Sequence, residues 1–329
     1  MHIPENYLSP STCAVATVAM APVWYCAVHH VREEVPREKM PLIGIAAAFC
    51  FLAMMFNIPL PGGTTGHAVC GTLIAILFGP WSAVLAVSIA LAIQAVLFGD
   101  GGILAFGANC FNMAFVLPFV GYAIYSLIRS RVEGERGELL GAAIGSYVGL
   151  NVAALLCAIE FGIQPLLFTT ADGAALYCPY PVWVSVPAMM LGHLTVAGLA
   201  EAGFTVGILA FLHSAVPSFG IETHAAGTSG LAPVIGLVVA LVAATPLGLL
   251  ATGDAWGEWA AEDLAEMVGY TPAGLEGGWE WSSLMPDYSV GALPEWVGYI
   301  LSAVIGVALL VIIFRLAANL ARPTVDFDA

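Results

Sequence analysis

Nine apolar runs, each closed by glycine, proline or a charge, constrain this chain more than any motif in it. Of its 329 residues, 60% are hydrophobic and only 9% are charged. A soluble domain of that size cannot bury so much apolar surface. Backbone in lipid must also satisfy its own hydrogen bonds, so the runs read as helices crossing a bilayer. The predicted spans are 12–31, 40–56, 67–79, 81–98, 103–128, 138–162, 184–213, 231–252 and 295–316, an all-α polytopic transmembrane bundle. The third and fourth are short and meet at Gly79-Pro80.

Basic residues orient the bundle, because short loops rich in Lys and Arg stay cytoplasmic. An N-terminus outside and a C-terminus in the cytoplasm put Arg32, Arg37 and Lys39 in the first inner loop. Arg129, Arg131 and Arg136 fall in another, and Arg315 and Arg322 follow the last span on the same side. All eight basic residues thus lie inside, which supports nine spans and a multi-pass protein of the plasma membrane. No basic n-region or small-residue cleavage site precedes the first span, so a cleaved signal peptide is not expected.

Several function classes drop out. Lys39 is the sole lysine and no G-x-x-x-x-G-K-[ST] run exists, so ATP cannot be bound here through a P-loop. The net charge of −15 argues against nucleic acid. The seven cysteines stand singly in apolar stretches, and most read as small buried hydrophobes. No H-E-x-x-H pair suggests an intramembrane zinc protease, and no nucleophile–base constellation suggests an enzyme.

The candidate chemistry starts at Met1-His2-Ile3. A histidine at position two sets its imidazole, its own backbone nitrogen and the free α-amine of Met1 around one ion, in two fused chelate rings. Such a nitrogen field suits Ni(II) or Cu(II), and Co(II) less well. His2 is large, so Met1 should be retained. Further on, "NIPLPGGTTGHAVCG" forces irregular backbone at the same membrane edge, tolerated only where it is buried in protein or lines a cavity. His67 there fits a hydrogen-bonded structural histidine or the fourth nitrogen of a plane, and Cys70 offers sulfur instead. Asp100 and Asn109, in "FGDGGILAFGANCFNMAF", are candidates to stand behind the ligands and hold an imidazole. Asp100 can also neutralise the ion, and the glycines of that segment equally fit a tight helix contact.

Glu160, His193 and Glu201 are ionisable residues within apolar runs, where such groups mark function by default. His193 and Glu201 are eight apart, on one helix face, and suit a proton relay or a structural hydrogen bond. The segment 253–294 carries Asp254, Glu258, Glu262, Asp263, Glu266, Glu276, Glu280 and Asp287 with no Lys, Arg or His. It reads first as a solvated loop, and second as an acidic mouth that concentrates cations.

The chain resembles the CbiM/NikM family, the membrane substrate-capture (S) components of energy-coupling-factor importers for cobalt or nickel. The resemblance rests on "MHIPENYLSP", "GTTGHAVCG", "GDGGILAFGANCFNMAF" and "LYCPYPVWVSVPAMMLGHLTVAGLAEAGFT". It implies a capture domain over 1–215, a cytoplasmic linker over 216–230 and a two-helix accessory module over 231–329. "TPAGLEGG" and "MPDYSVGALP" in that module are similar to the PDGLE domain, with Pro272-Ala273-Gly274 where Pro-Asp-Gly is usual. The implied metal ligands are the amine and amide nitrogens at Met1-His2, the His2 imidazole and His67. Glu5-Asn6 replaces the family's usual Asp-Gly. The implied activity is capture of Ni(II) or Co(II) from outside, with no organic cofactor and no catalysis by this chain. The implied partners are a transmembrane coupling (T) subunit and two ATPase subunits. The alternative is a stand-alone secondary transporter of a divalent metal, although such folds usually show paired repeats and none is evident.

Overall fold

The computed structural model describes residues 1–216 and 230–320. Most of the expected linker 216–230, with His224, and the terminal stretch holding Arg322 lie outside the described residues. Among the described residues the regular elements are helices apart from one hairpin. The helices are α1 (Pro10–Glu34), α2 (Met40–Met54), α3 (Gly71–Phe78), α4 (Pro80–Phe98), α5 (Phe106–Arg129) and α6 (Gly134–Leu167). They continue with α7 (Val182–Ala215), α8 (Ala232–Leu250), the short α9 (Ala261–Val268) and α10 (Glu295–Leu320).

Among the described residues seven helices are long and apolar enough to cross a membrane: α1, α4, α5, α6, α7, α8 and α10. The expected spans at 40–56 and 67–79 are realised as shorter pieces. At 1.5 Å per residue α2 rises about 22 Å and α3 about 12 Å, against roughly 30 Å of hydrocarbon. The shortfall has a local cause. After Met55 the chain turns into an antiparallel hairpin, β1 (Ile58–Leu60) and β2 (Thr64–Gly66), across Gly62 and Gly63 at φ +92° and +79°. It stays irregular until Cys70, itself left-handed at φ +61°. What reads as an apolar span is therefore partly a buried loop.

Helix starts follow from the sequence. Ser9 caps α1 by accepting the Thr12 N–H at 3.1 Å, and Pro10 needs no partner at the first position. Glycine sets the closest contacts. A Cβ on Gly145 of α6 would meet the Gly121 carbonyl of α5 at 2.5 Å, and one on Gly306 of α10 would strike the Phe51 ring of α2 at 2.3 Å. Packing of this kind joins helices in lipid, where no hydrophobic drive separates them from the acyl chains. Three helices carry a π turn, at Gln94–Phe98, Cys110–Val116 and His193–Ala197.

Hydrogen bonds sort the connections into two ends. At one, Gly102 N donates to Ile3 O (2.8 Å), Cys178 N to Tyr7 O (3.0 Å), Thr65 N to Asp254 O (3.2 Å) and Met285 N to Leu97 O (2.9 Å). At the other, Arg37 Nε donates to Ala318 O (2.8 Å) and His213 pairs with Glu138 (3.3 Å). Arg32, Arg37, Lys39, Arg129, Arg131 and Arg136 cluster at this second end, away from Met1.

Candidate metal centre

The first three residues are packed inside the protein, with Met1 3%, His2 2% and Ile3 0% exposed. Asn109, at the foot of α5, grips both polar backbone groups of Ile3: its Oδ1 accepts from Ile3 N at 2.8 Å and its Nδ2 donates to Ile3 O at 3.0 Å. The Cys157 thiol donates to Met1 O at 3.6 Å, and Gln164 Oε1 accepts from Ser9 N at 3.0 Å. The Glu5 carboxylate accepts from the Ile103 and Leu104 amides. Gly102 lets the strand pass, since a Cβ there would lie 2.8 Å from Glu5 N.

His67 arrives from the opposite side. Behind it the buried Glu201 carboxylate of α7 accepts from Val69 N (2.6 Å) and Cys70 N (2.9 Å), which fixes the loop. The His2 and His67 ring centroids are 5.0 Å apart. His67 Nδ1 lies 3.2 Å from Ala68 O. A proton on that nitrogen leaves the Nε2 lone pair for an ion. His2 Nδ1 sits 2.8 Å from Asp100 Oδ1, while its buried Nε2 has no partner. The Met1 amine pairs with Glu258 Oε1 at 3.1 Å.

These neighbours set the charges. Burial pulls the Met1 amine down, but Glu258, Cys157 and Asp100 more than offset it, so its pKa stands above the ordinary value. Burial, with the charges of His2 and the Met1 amine, holds His67 well below the ordinary imidazole range. Loss of hydration alone would raise the partly buried Asp100; His2, His67 and Tyr288 hold it below the usual carboxylate range. The result is a neutral imidazole, an ammonium and two anionic side chains around one point. A cavity of about 420 Å³ opens onto it, lined by His2, His67, Asp100, Glu258, Asp254 and Asp287 among others. The carboxylate and imidazole atoms of His2, Asp100 and Glu258 lie within 4.8 Å of one another, close enough to share an ion.

Met1, His2, His67 and Asp100 therefore meet. Asn109 is adjacent but bonds backbone rather than an imidazole; Asp100 does that instead. Cys70 serves through its backbone N–H. Glu160 accepts from Asn112 Nδ2 at 2.7 Å, and His193 Nδ1 lies 2.8 Å from Met189 O. His193 and Glu201 thus hold separate partners instead of each other. Sequence reasoning missed Glu258 and Tyr288 as parts of the centre. The available signal for Glu258 was its flanking pair, Trp256 and Trp259, whose rings pack on Tyr180 at 5.5 and 5.8 Å and mark an inward-facing segment.

Residues 2–219 match the CbiM family, the cobalt uptake substrate-specific transmembrane region. The chain belongs to the CbiM family. Residues 231–323 of this CbiM-type chain match the PDGLE domain. It is similar to the probable fused nickel transport protein LarMN of Lactiplantibacillus plantarum, 47% identical over 325 residues, 96% of this chain and 97% of the relative. It is similar to the fused nickel transport protein NikMN of Rhodobacter capsulatus, 48% identical over 343 residues, 97% and 98% of the two chains. A crystal structure of a transition metal transporter is 54% identical and covers 65% of this chain and 93% of its own, with a TM-score of 0.62. Its long apolar helices make this CbiM-type chain a multi-pass membrane protein.

Proposed function

We propose that this chain is the metal-capturing membrane component of an energy-coupling-factor importer, taking Ni(II) or Co(II) from outside for uptake driven by ATP hydrolysis on separate subunits. One observation carries the reading: the Met1 amine, His2 and His67, up to 66 positions apart in sequence, meet at one buried point. Met1, His2 and His67 are the ligands. The ion takes the amine, the His2 backbone nitrogen, His2 Nδ1 and His67. Only Nδ1 closes a six-membered ring with the backbone nitrogen, so the ion arrives beside Asp100, which faces that atom. Asn109 stands one step back, fixing the strand that carries the ligands.

The N-terminus faces outside and the C-terminus the cytoplasm. Counting α2 and α3 as short crossings gives nine alternating segments, with the basic residues at the inner end. Residues 1–215 form the capture domain and 231–329 the accessory module, whose outer segment roofs the centre. A coupling transmembrane subunit and two ATPases are the expected partners, since this chain has no nucleotide site of its own.

The test is nickel and cobalt binding by the purified full-length protein, by calorimetry, with intact mass confirming each N-terminus. One residue added before Met1 displaces the amine and should abolish tight binding. His67→Ala should cost more than the roughly 10–100-fold that loss of a residue behind a ligand costs. Tight binding retained in both variants would sink the proposed ligand set.

A further inference from the structure

Tyr288 lies in the accessory segment, far in sequence from every proposed ligand, yet its phenol reaches the centre. The hydroxyl donates to Asp100 Oδ2, the carboxylate whose other oxygen faces His2 Nδ1. Gln94 Nε2 donates to the Tyr288 oxygen at 2.9 Å and to Asp100 Oδ2 at 3.1 Å, so the phenol accepts from one side and donates on the other. The ring is fixed as firmly as its hydroxyl. It is 6% exposed, stacks on Phe98 with centroids 4.7 Å apart and 23° between planes, and packs on Tyr299 at 5.3 Å. Ser302 Oγ of α10 donates to Tyr288 O at 2.9 Å, tying the turn to the last helix.

The backbone agrees. Non-glycine residues with positive φ are, among the described residues, Asn6, Cys70, Asp287 and Tyr288. Asp287 and Tyr288 line the cavity of the centre, and they are consecutive, at φ +51° and +60°. Left-handed backbone at bulky residues persists only where the surroundings hold it, and it gathers where geometry matters for function. Here it turns the phenol inward.

We propose that Tyr288 is a positioning residue of the metal centre, which holds the Asp100 carboxylate against His2 and so couples the accessory module to ligand geometry. Tyr288 does not touch the ion. It pins Oδ2, so that Oδ1 and its charge stay beside His2 Nδ1, where an ion replacing the Nδ1 proton would lie. Partners behind metal ligands typically carry about 10–100-fold in affinity. This inference rests on the capture function proposed above.

Tyr288→Phe keeps the stacked ring and deletes one hydroxyl. Nickel binding by the full-length protein should weaken about tenfold, and the ligand-field absorption of the bound Ni(II) should shift, with unchanged elution as a folded monodisperse species. The decisive arm is a cycle with Asp100→Asn. If Tyr288 acts through Asp100, adding Tyr288→Phe to Asp100→Asn costs less than about twofold further. Wild-type binding and spectrum in Tyr288→Phe, or an equal loss in both backgrounds, would overturn the proposal. A His2→Ala arm separates the two failures. Binding lost there but untouched in Tyr288→Phe condemns the positioning role alone, whereas binding retained in His2→Ala removes the capture centre and this role with it.

Discussion

The two parts of this chain bring different elements of the periodic table to one place. Residues 1–216 bring nitrogen: the Met1 amine and the imidazoles of His2 and His67, all nearly inaccessible. Residues 230–320 bring oxygen: Glu258 on the amine, Tyr288 on Asp100, and Asp254 and Asp287 on the cavity wall. Nitrogen donors favour Ni(II), Co(II) and Cu(II), whereas Mg(II) and Ca(II) keep to oxygen. Carboxylates attract any cation and choose poorly. On the proposed reading, selection and attraction are divided between the two parts, and Asp100 is the residue on which they meet.

Acid should break the nitrogen side most severely. At neutral pH the Met1 amine, its pKa above the ordinary value, is protonated and must lose that proton to bind. The His2 backbone nitrogen must lose one too. His67, held well below the ordinary imidazole range by burial, is already neutral and releases none. At least two protons then leave per ion. Affinity should rise about 100-fold per pH unit through the neutral range and about tenfold per unit once pH passes the amine pKa, where only the amide proton still leaves. Calorimetry in buffers of different ionisation enthalpy counts those protons. A count of one would remove the backbone nitrogen from the ligand set.

How much of this was visible beforehand divides along the same line. The proposed N-terminal chelate is local chemistry: amine, amide and imidazole of adjacent residues meet whatever the fold, so Met1 and His2 could be proposed directly. His67 was marked by the glycines and prolines that hold it in a loop at a membrane edge. Glu258 and Tyr288 carry no such mark. One acid among eight in a segment free of positive charge looks like surface, and only tertiary packing of Trp256 and Trp259 turns it inward. Two of the expected spans came out short for a related reason. Hydropathy cannot tell a membrane helix from apolar chain buried in protein as a loop, which is what His67–Cys70, the start of the expected third span, becomes.

The oxygen side is tested by Glu258→Gln, which keeps shape and deletes charge. Two effects oppose each other. Attraction of the cation weakens, but the Met1 amine loses the anion that stabilises its proton and gives that proton up more easily. Equilibrium affinity should therefore move less than the rate. Association at low ionic strength should slow by roughly three- to tenfold, equally for nickel and cobalt. The difference should close near 1 M salt, where the Debye length is about 3 Å. Stopped-flow measurements with both ions decide it. Slowing that differs between the metals, or persists in high salt, would give Glu258 a part in selection.

The smallest effect is expected where the two parts touch at the rim. Asn6 lies at φ +62°, a conformation that glycine enters freely and asparagine more easily than other residues. The same backbone suits the glycine that the resemblance implies at this position. Its Nδ2 donates to Trp279 O at 3.0 Å, an exposed contact across the two parts. Asn6→Gly removes that bond and relieves the backbone in the same step, so thermal stability in detergent should change by less than about 1 kcal/mol and nickel affinity by less than twofold. Asn6→Val keeps a side chain but puts a β-branched residue at positive φ, and should cost about 1–3 kcal/mol. The pair separates backbone from contact. If glycine proves as damaging as valine, the bond to Trp279 matters beyond the turn, and the oxygen-bearing part is holding the chelating strand in place as well as attracting its ion.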